Sequence, residues 1–261
     1  MPMTSADLWK KWYYRLIFEV VLVVLIAAAL GYVFMDRLLF PAPFTGKKVG
    51  NVTLSSGNAV LDAVWIKAEN PRATVLFSHG NAEHLAMLRS WLNEFTRHGY
   101  DILAYDYAGY GGSTGKAGAK QACCDIEAAY RFLTETEKIP PERIIALGFS
   151  VGGGPSVHLA SKYPVGLVLA APFASAVQVL LPFSPPGDRF PNADILARSE
   201  VPVLIFHGTA DRVIPFRNGQ KIFDRAAGRK KLIPVPGADH DDLFDRLGDR
   251  FWTELDAFFP R

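Results

Sequence analysis

The feature that most constrains this chain is a serine set between glycines, in the sequence Gly-Phe-Ser-Val-Gly at residues 148–152. An apolar run comes directly before it and a run of small residues directly after it, which predicts a strand, a sharp turn and a helix. A serine at such a turn has a strained backbone, and the flanking glycines remove the Cβ atoms that would collide there. Because this short pattern also occurs by chance, the rest of the chain has to decide whether Ser150 is a nucleophile.

The hydrophobic pattern of the remaining chain alternates between short apolar runs and amphipathic stretches. We predict strands at 51–54, 59–67, 73–78, 101–105, 143–149, 165–171, 201–206 and 231–235, and helices at 83–98, 117–138, 152–163, 218–227 and 241–259. Strands that alternate with helices form a mostly parallel sheet with helices on both faces. The predicted fold class is therefore α/β, and its reactive groups should collect at the carboxyl ends of the strands.

Two further polar residues follow predicted strands in the order nucleophile, acid, base. Asp211 comes after the apolar run 203–206, and His240 comes after the run 232–235. A serine hydroxyl is a weak nucleophile at neutral pH, and an imidazole accepts its proton and returns it to the leaving group. A buried carboxylate fixes the tautomer of that imidazole. We therefore predict a catalytic triad of Ser150, Asp211 and His240.

Other histidines compete with His240 for the role of base. His158 falls in a predicted helix and His98 at a helix end, where we expect packing or surface roles. His79 and His207 each precede a glycine at a strand end and are expected to line or brace the site, and His84 follows the loop 78–83 as a candidate pocket residue. Only His240 combines the right chain order with the right loop. Its acidic neighbours are assigned to solvent or to capping the next helix: Asp239, Asp241 and Asp242. No spacing typical of a metal site occurs, so we predict neither a metal nor a cofactor.

An oxyanion hole is the remaining part that this chemistry requires. The loop after the strand 73–78 reads Ser-His-Gly-Asn-Ala-Glu, and Gly80 in it allows close backbone approach. One donor should be the amide of Val151, directly after the nucleophile. By position, the second donor is the amide of Ala82, with Asn81 as the alternative.

A long apolar segment, residues 16–35, precedes the predicted domain, and Glu19 is its only charge. About 20 residues at 1.5 Å each span the hydrocarbon core of a bilayer. A signal peptide cleaved at the alanines 27–29 is the alternative, but the apolar run continues past them. We predict an N-terminal membrane anchor, residues 1–38, with one uncleaved transmembrane helix, followed by a catalytic domain, residues 39–261.

The flanking charges predict how this segment would be oriented. Lys10, Lys11 and Arg15 precede it, so the positive-inside rule puts the N-terminus in the cytoplasm and the catalytic domain on the periplasmic or extracellular side. The net charge of +2 provides no basic field of the size that nucleic acid needs. The expected partners are therefore a membrane and a small acyl substrate, and not nucleic acid. The oligomeric state is left open.

The connection from Pro172 to Glu200 is too short for a full cap domain. Its apolar part, 173–183, and the Ser-Pro-Pro-Gly turn after it predict either a small lid or a short helix packed on the core. We predict a minimal cap. An apolar lid would favour lipid-like acyl groups.

Four motifs together resemble a known family. They are the loop 78–83, the sequence Tyr-Asp-Tyr-Ala-Gly-Tyr-Gly at 105–111, the serine motif 148–152, and His-Gly-Thr-Ala-Asp at 207–211. The chain resembles the α/β-hydrolase superfamily and, within it, the branch of small N-terminally membrane-anchored hydrolases that includes eukaryotic depalmitoylating enzymes. The resemblance implies the α/β-hydrolase fold and the triad derived above. Depalmitoylating members have a lipidated, Cys-rich N-terminus, whereas this chain has no cysteine before Cys123.

These observations predict a serine hydrolase that cleaves acyl esters or thioesters through an acyl-enzyme intermediate. Its substrate would be a small or lipid-like acyl compound. Two alternatives stay open, a serine peptidase acting on short peptides and a non-catalytic binding protein with the same fold. The complete triad argues against the binding protein, which has no need of all three groups.

Overall fold

The chain divides into two compact units, Met1–Leu38 and Leu39–Arg261. The computed structural model describes residues 5–43, 45–177 and 188–260. Helix α1, Ser5–Leu39, has 35 residues, and all of them except the last lie in the first unit. The predicted lid lies partly outside the described residues, because 178–187 are not among them.

The membrane prediction for α1 is contradicted. Within the described part of the chain, no helix has both the length and the apolar character needed to cross a bilayer. Charged side chains occur toward both ends of α1, and Arg15 and Glu19 form an ion pair of 2.9 Å one turn apart. Ionised groups oppose transfer of a helix into hydrocarbon. The predictions of a transmembrane helix and of single-pass topology are therefore wrong, and membrane anchoring through this helix is not supported. The predicted side of the membrane for the catalytic domain depended on that helix and is left without support.

The second unit is built around an eight-stranded sheet. The strands are β1 Val52–Ser56, β2 Ala59–Ile66, β3 Ala73–Ser78, β4 Tyr100–Tyr105, β5 Ile144–Phe149, β6 Gly166–Ala170, β7 Val203–Gly208 and β8 Lys230–Val235. Their order in the sheet is β1-β2-β4-β3-β5-β6-β7-β8. The pairs β1–β2 and β2–β4 are antiparallel, and all later pairs are parallel. The predicted mostly parallel sheet is confirmed.

Helices cover both faces of this sheet, as predicted. They are α2 Leu85–Arg97, α3 Ala119–Arg131, α4 Gly153–Ala160, α5 Asn192–Leu196, α6 Arg217–Arg225, α7 Leu243–Leu247 and α8 Asp249–Phe258. Successive residues of a strand point to opposite faces. In β3, Leu76 therefore enters a core with α3 to α6, while Val75 and Phe77 enter the core with α2, α7 and α8. Burial on both faces explains why the central strands are apolar throughout.

The last predicted helix, 241–259, is divided in two. Gly248 separates α7 from α8 and has φ +47°, a conformation that ends a helix and that glycine adopts without strain. Both short helices still pack on the same core through Leu243 and Phe251. The break therefore leaves the apolar side chains of both helices in the same core.

Candidate active site

Ser150 lies at a sharp turn between β5 and α4. Its φ of +53° is in the left-handed region, which a residue with a side chain rarely adopts. Cβ atoms at the two flanking glycines would collide with backbone, at Gly148 with the Gly152 carbonyl and at Gly152 with the Ser78 carbonyl. The glycines are therefore required by close approach between this turn and the end of β3. The strained backbone conformation is that of Ser150, the predicted nucleophile.

A continuous hydrogen-bonded chain joins the three predicted residues. His240 Nε2 lies 3.0 Å from Ser150 Oγ, and His240 Nδ1 lies 2.8 Å from Asp211 Oδ2. All three side chains are buried, with residue exposures of 7%, 7% and 6% for Ser150, His240 and Asp211. They follow β5, β8 and β7, so the carboxyl edge of the sheet brings them together from distant parts of the sequence.

Asp211 is held as an ionised acceptor. Its Oδ1 accepts the backbone N–H groups of Val213 and Ile214 at 2.9 and 2.7 Å. Burial by itself raises the pKa of this carboxyl, but hydrogen bonds from His207, His240 and the Ile214 amide outweigh it and bring the pKa well below its ordinary value. An ionised Asp211 requires a proton on His240 Nδ1, and this leaves Nε2 free to accept the proton of Ser150.

His207 is a second histidine beside this carboxylate. It is fully buried, and its Nε2 lies 2.7 Å from the Ile214 carbonyl and 3.5 Å from Asp211 Oδ2. The carbonyl can only accept, so Nε2 carries the proton and donates. Its Nδ1 faces the backbone of Gly219 and has no hydrogen-bond partner in the described structure. His207 thus braces the acid loop, as the sequence indicated when it placed this residue at a strand end.

The loop after β3 approaches the nucleophile and is held by several side chains. Tyr107 Oη donates to the His79 carbonyl at 2.8 Å, and Tyr110 Oη donates to the Asn81 carbonyl at 2.9 Å. Burial raises the pKa of Tyr110, so its hydroxyl remains a donor at neutral pH. Glu83 accepts the Gly80 N–H at 2.6 Å. These hydrogen bonds fix the orientation of the loop.

The predicted oxyanion amides are available for a ligand. The amides of Asn81 and Ala82 have no acceptor in the described residues, and both residues are exposed. Val151 belongs to the single helical turn Ser150–Gly152. The first N–H groups of a helix have no intrahelical partner, so the Val151 amide is also available. The structure does not distinguish Ala82 from Asn81.

The competing histidines have other environments. His158 Nε2 contacts Glu127 at 2.9 Å on α3, and His98 stacks on Trp252 with ring centroids 4.1 Å apart. His79 is fully buried, and its Nδ1 lies 2.8 Å from the Gly80 carbonyl. His84 precedes α2 at the end of the loop. None of the hydrogen bonds in the described structure joins these four to Ser150.

One acidic neighbour of His240 makes a contact that the sequence did not predict. Asp239 was expected in solvent or at a helix cap, but its carboxylate contacts Arg212, which follows the acid Asp211. The sequence spacing gives no sign of this contact, because the two residues come from different loops. Asp242 does occupy the N-cap position of α7, and its Oδ1 accepts the Asp239 N–H at 2.7 Å.

Sequence comparison identifies the family. Residues 69–187 match the family model described as serine aminopeptidase, S33. Human alpha/beta hydrolase domain-containing protein 17B is 38% identical over 194 residues, which cover 72% of this chain and 67% of that protein. The chain belongs to the α/β-hydrolase family. A second family relative, protein aho-3 of Caenorhabditis elegans, is 40% identical over 179 residues, covering 67% of this chain and 54% of that protein.

Solved α/β-hydrolase structures agree with this assignment at the level of the fold. Est1E from Butyrivibrio proteoclasticus, determined with ferulic acid bound, superposes with a TM-score of 0.67 at 16% identity, covering 80% of this chain and all of that one. The Pyrococcus furiosus esterase Pf2001 gives a TM-score of 0.66 at 20% identity, covering 79% of this chain and 90% of that one. The predicted family and fold are confirmed, and the protein is a hydrolase.

Proposed function

We propose that this hydrolase cleaves acyl esters or thioesters, with Ser150 as nucleophile, His240 as general base and Asp211 as the acid that orients the base. The observation that carries the proposal is the hydrogen-bonded chain from Ser150 Oγ through His240 to Asp211, with links of 3.0 and 2.8 Å. It lies buried at the edge of the sheet where α/β proteins collect their reactive groups. A serine, a neutral imidazole and an ionised carboxylate in this sequence form a proton-transfer chain.

The first half of the reaction forms the acyl-enzyme. His240 Nε2 takes the proton of Ser150 as Oγ attacks the acyl carbon, and the carbonyl π electrons move onto oxygen. The tetrahedral intermediate then expels the alcohol or thiol, which receives the proton from His240 Nε2. Asp211 stabilises the imidazolium formed between these two proton transfers and stays ionised throughout.

The second half repeats these steps with water. His240 Nε2 removes a proton from the water molecule that attacks the acyl carbon, and collapse of the second intermediate returns the proton to Ser150 Oγ. The carboxylic acid leaves. In both halves the oxyanion is stabilised by the amide of Val151 and by that of Ala82 or Asn81. These amides are fixed before the reaction, so they need no reorganisation as charge develops.

The surroundings of the triad favour an acyl group with some apolar length. Phe149 packs on the His240 ring with centroids 5.1 Å apart, so an apolar side chain lies beside the proposed base. Apolar walls around a few polar groups are typical of small-molecule sites. The family resemblance to enzymes that act on fatty acyl groups supports the same substrate class.

A serine peptidase acting on short peptides is the second candidate. The observation that favours it is the match of residues 69–187 to the family model described as serine aminopeptidase. The same triad serves amide hydrolysis, since the proton that His240 stores is needed by an amine leaving group. Substrate preference therefore has to separate the two functions.

A chain-length series of nitrophenyl esters and acyl thioesters, run beside a fluorogenic aminopeptide panel, tests the proposal. We expect ester and thioester hydrolysis, faster with medium chains than with acetate. Ser150→Ala should lower kcat by about 10³-fold or more and abolish labelling by a fluorophosphonate. Peptide cleavage without ester cleavage would favour the second candidate.

Ser156→Ala is the matched control for this experiment. Ser156 is a fully buried serine of α4, and its Oγ has no hydrogen-bond partner in the described structure. The same substitution there should leave both labelling and kcat unchanged. Equal activity of wild type and Ser150→Ala would reject the proposed nucleophile.

A further inference from the structure

An ion pair connects the loop of the proposed acid with the loop of the proposed base. Arg212 directly follows Asp211, and Asp239 directly precedes His240. Arg212 Nε and Nη2 lie 2.6 and 2.5 Å from Asp239 Oδ2. The other oxygen, Oδ1, accepts the backbone N–H groups of Arg212 and His240, each at 2.9 Å. One carboxylate therefore holds both loops, through a side chain and through two backbone groups.

The two loops are joined on one side of the triad by backbone hydrogen bonds. β7 and β8 are parallel neighbours, and their pairing ends at Gly208 and Val235. Beyond the strands, the Ala210 N–H still donates to the Ala238 carbonyl at 3.0 Å. On the acid loop, Asp211 lies between Ala210 and Arg212, and on the base loop Ala238 and Asp239 directly precede His240. The backbone link Ala210–Ala238 and the ion pair Arg212–Asp239 therefore join the residues next to the acid–base contact.

Asp239, the residue of this ion pair that lies in the loop of the proposed base, is held by a further hydrogen bond. The Asp239 N–H donates to Asp242 Oδ1 at 2.7 Å, and Arg246 Nε donates to Asp242 Oδ2 at 2.5 Å. Asp242 is the N-cap of the short helix α7 and Arg246 lies in its last turn, and α7 packs on the core. Hydrogen bonds from the Arg212 and His240 amides lower the pKa of Asp239, which keeps its carboxylate ionised.

We propose that Arg212 and Asp239 are positioning residues, which hold the Asp211–His240 pair in the geometry that proton transfer from Ser150 requires. This proposal rests on the proposed function. An exposed ion pair contributes little to the free energy of unfolding. A small displacement of a catalytic side chain, in contrast, has a large effect on rate. The expected signature is therefore a loss of kcat with little change in KM or in thermal stability.

Two single variants remove the pair in different ways. Arg212→Gln removes the guanidinium, whereas Asp239→Asn removes the charge and keeps an oxygen that accepts the backbone N–H groups. We expect each to lower kcat by about tenfold, with KM and Tm close to wild type. The double variant should be no slower than the slower single variant, because both substitutions break the same link. Arg212→Lys retains the charge and should recover part of the lost kcat.

Arg225→Gln is the matched control. Arg225 forms an exposed ion pair with Asp194 at 2.9 Å, between α6 and α5, and neither residue contacts the triad. This variant should keep the wild-type kcat. Values of kcat are expressed per site labelled by the fluorophosphonate, so loss of folded protein does not count as loss of catalysis.

Three outcomes would overturn the positioning role. In the first, Arg212→Gln keeps its kcat within twofold of wild type while wild type labels and hydrolyses. In the second, the loss of activity equals the loss of labelled sites, and the residue is merely structural. In the third, wild type neither labels nor hydrolyses, which rejects the proposed function and the positioning role together.

Discussion

At the scale of single residues, the site depends on which groups are charged and which carry a proton. Asp211 is buried and yet ionised, because donors on three sides outweigh the cost of burial. His207 shares in this arrangement by donating from Nε2 to the Ile214 carbonyl beside the acid. The carboxylate therefore has a structural role in its loop as well as the proposed role in orienting His240.

Asp211→Asn tests the proposed catalytic role of this carboxylate. The amide cannot stabilise an imidazolium, and it permits the wrong tautomer of His240. We expect kcat to fall by about 10³- to 10⁴-fold. Steady-state kinetics on a nitrophenyl ester measure this, with Asp194→Asn as an exposed control. A loss below tenfold would contradict the assignment of Asp211 as the acid.

The same variant has a pH signature in stability. Because the pKa of Asp211 is lower in the folded protein than in the unfolded chain, its ionisation stabilises the fold above the ordinary carboxyl pKa of about 3.9. This stabilisation is lost as the pH falls from there through the folded-state pKa. In urea titrations, the difference in free energy of unfolding between wild type and Asp211→Asn should be constant near neutrality and shrink below about pH 4. A difference that grows on acidification would contradict the lowered pKa.

At the scale of elements, the loop after β3 is held by residues that come from the segment after β4. Tyr107 and Tyr110 donate to carbonyls of this loop, and their rings pack against His79 with centroids 4.5 and 5.6 Å away. β3 and β4 are parallel neighbours, so their following loops leave the same edge of the sheet. The orientation of the proposed oxyanion amides thus depends on a neighbouring loop.

Tyr110→Phe tests this dependence. It removes the hydrogen bond to the Asn81 carbonyl and keeps the packed ring, so the loop should loosen without a large change in the core. We expect kcat to fall by about three- to tenfold, with Tm close to wild type. The control is Tyr163→Phe, because the Tyr163 ring stacks on Tyr130 near the amino end of β6. An unchanged kcat for Tyr110→Phe would mean that the loop is oriented without this bond.

At the scale of the whole molecule, all parts of the proposed site lie in one of the two compact units. The unit Leu39–Arg261 contains the eight strands, both core clusters and every residue of the triad and the loop after β3. Apolar burial on both faces of the sheet is the main stabilising contribution in such a domain. The sheet, both core clusters and the proposed site therefore all lie in this one unit.

We predict that residues 39–261 alone fold and hydrolyse a water-soluble ester. The kcat/KM should stay within about twofold of the full chain, since the positions of the reacting groups depend on the sheet. Thermal unfolding and kinetics on the two proteins measure this. A truncated protein that is folded and inactive would show that the first unit contributes to the site.

Much of the fold was predictable from the sequence, because its strands and helices are indicated by patterns of neighbouring residues. Buried parallel strands are apolar runs, and polar residues that follow such runs meet at one edge of a sheet. Chain order and loop position predicted Ser150, Asp211 and His240 as a triad, and the structure brings these three side chains into hydrogen-bond distance. The prediction for α1 was wrong, because a count of apolar residues predicted a membrane span that the described helix does not support. The break at Gly248 was not predicted, because a continuous amphipathic pattern does not show a residue with positive φ.

The sequence by itself determined the order of strands and helices, the serine turn and the residues that follow each strand. Only the tertiary structure decided which side chains from different loops meet. The contact between Arg212 and Asp239 and the tyrosine support of the loop 78–83 both join segments far apart in sequence. Such contacts depend on β7 lying beside β8, and β3 beside β4. Strand adjacency results from packing the whole sheet, and no local pattern of residues encodes it.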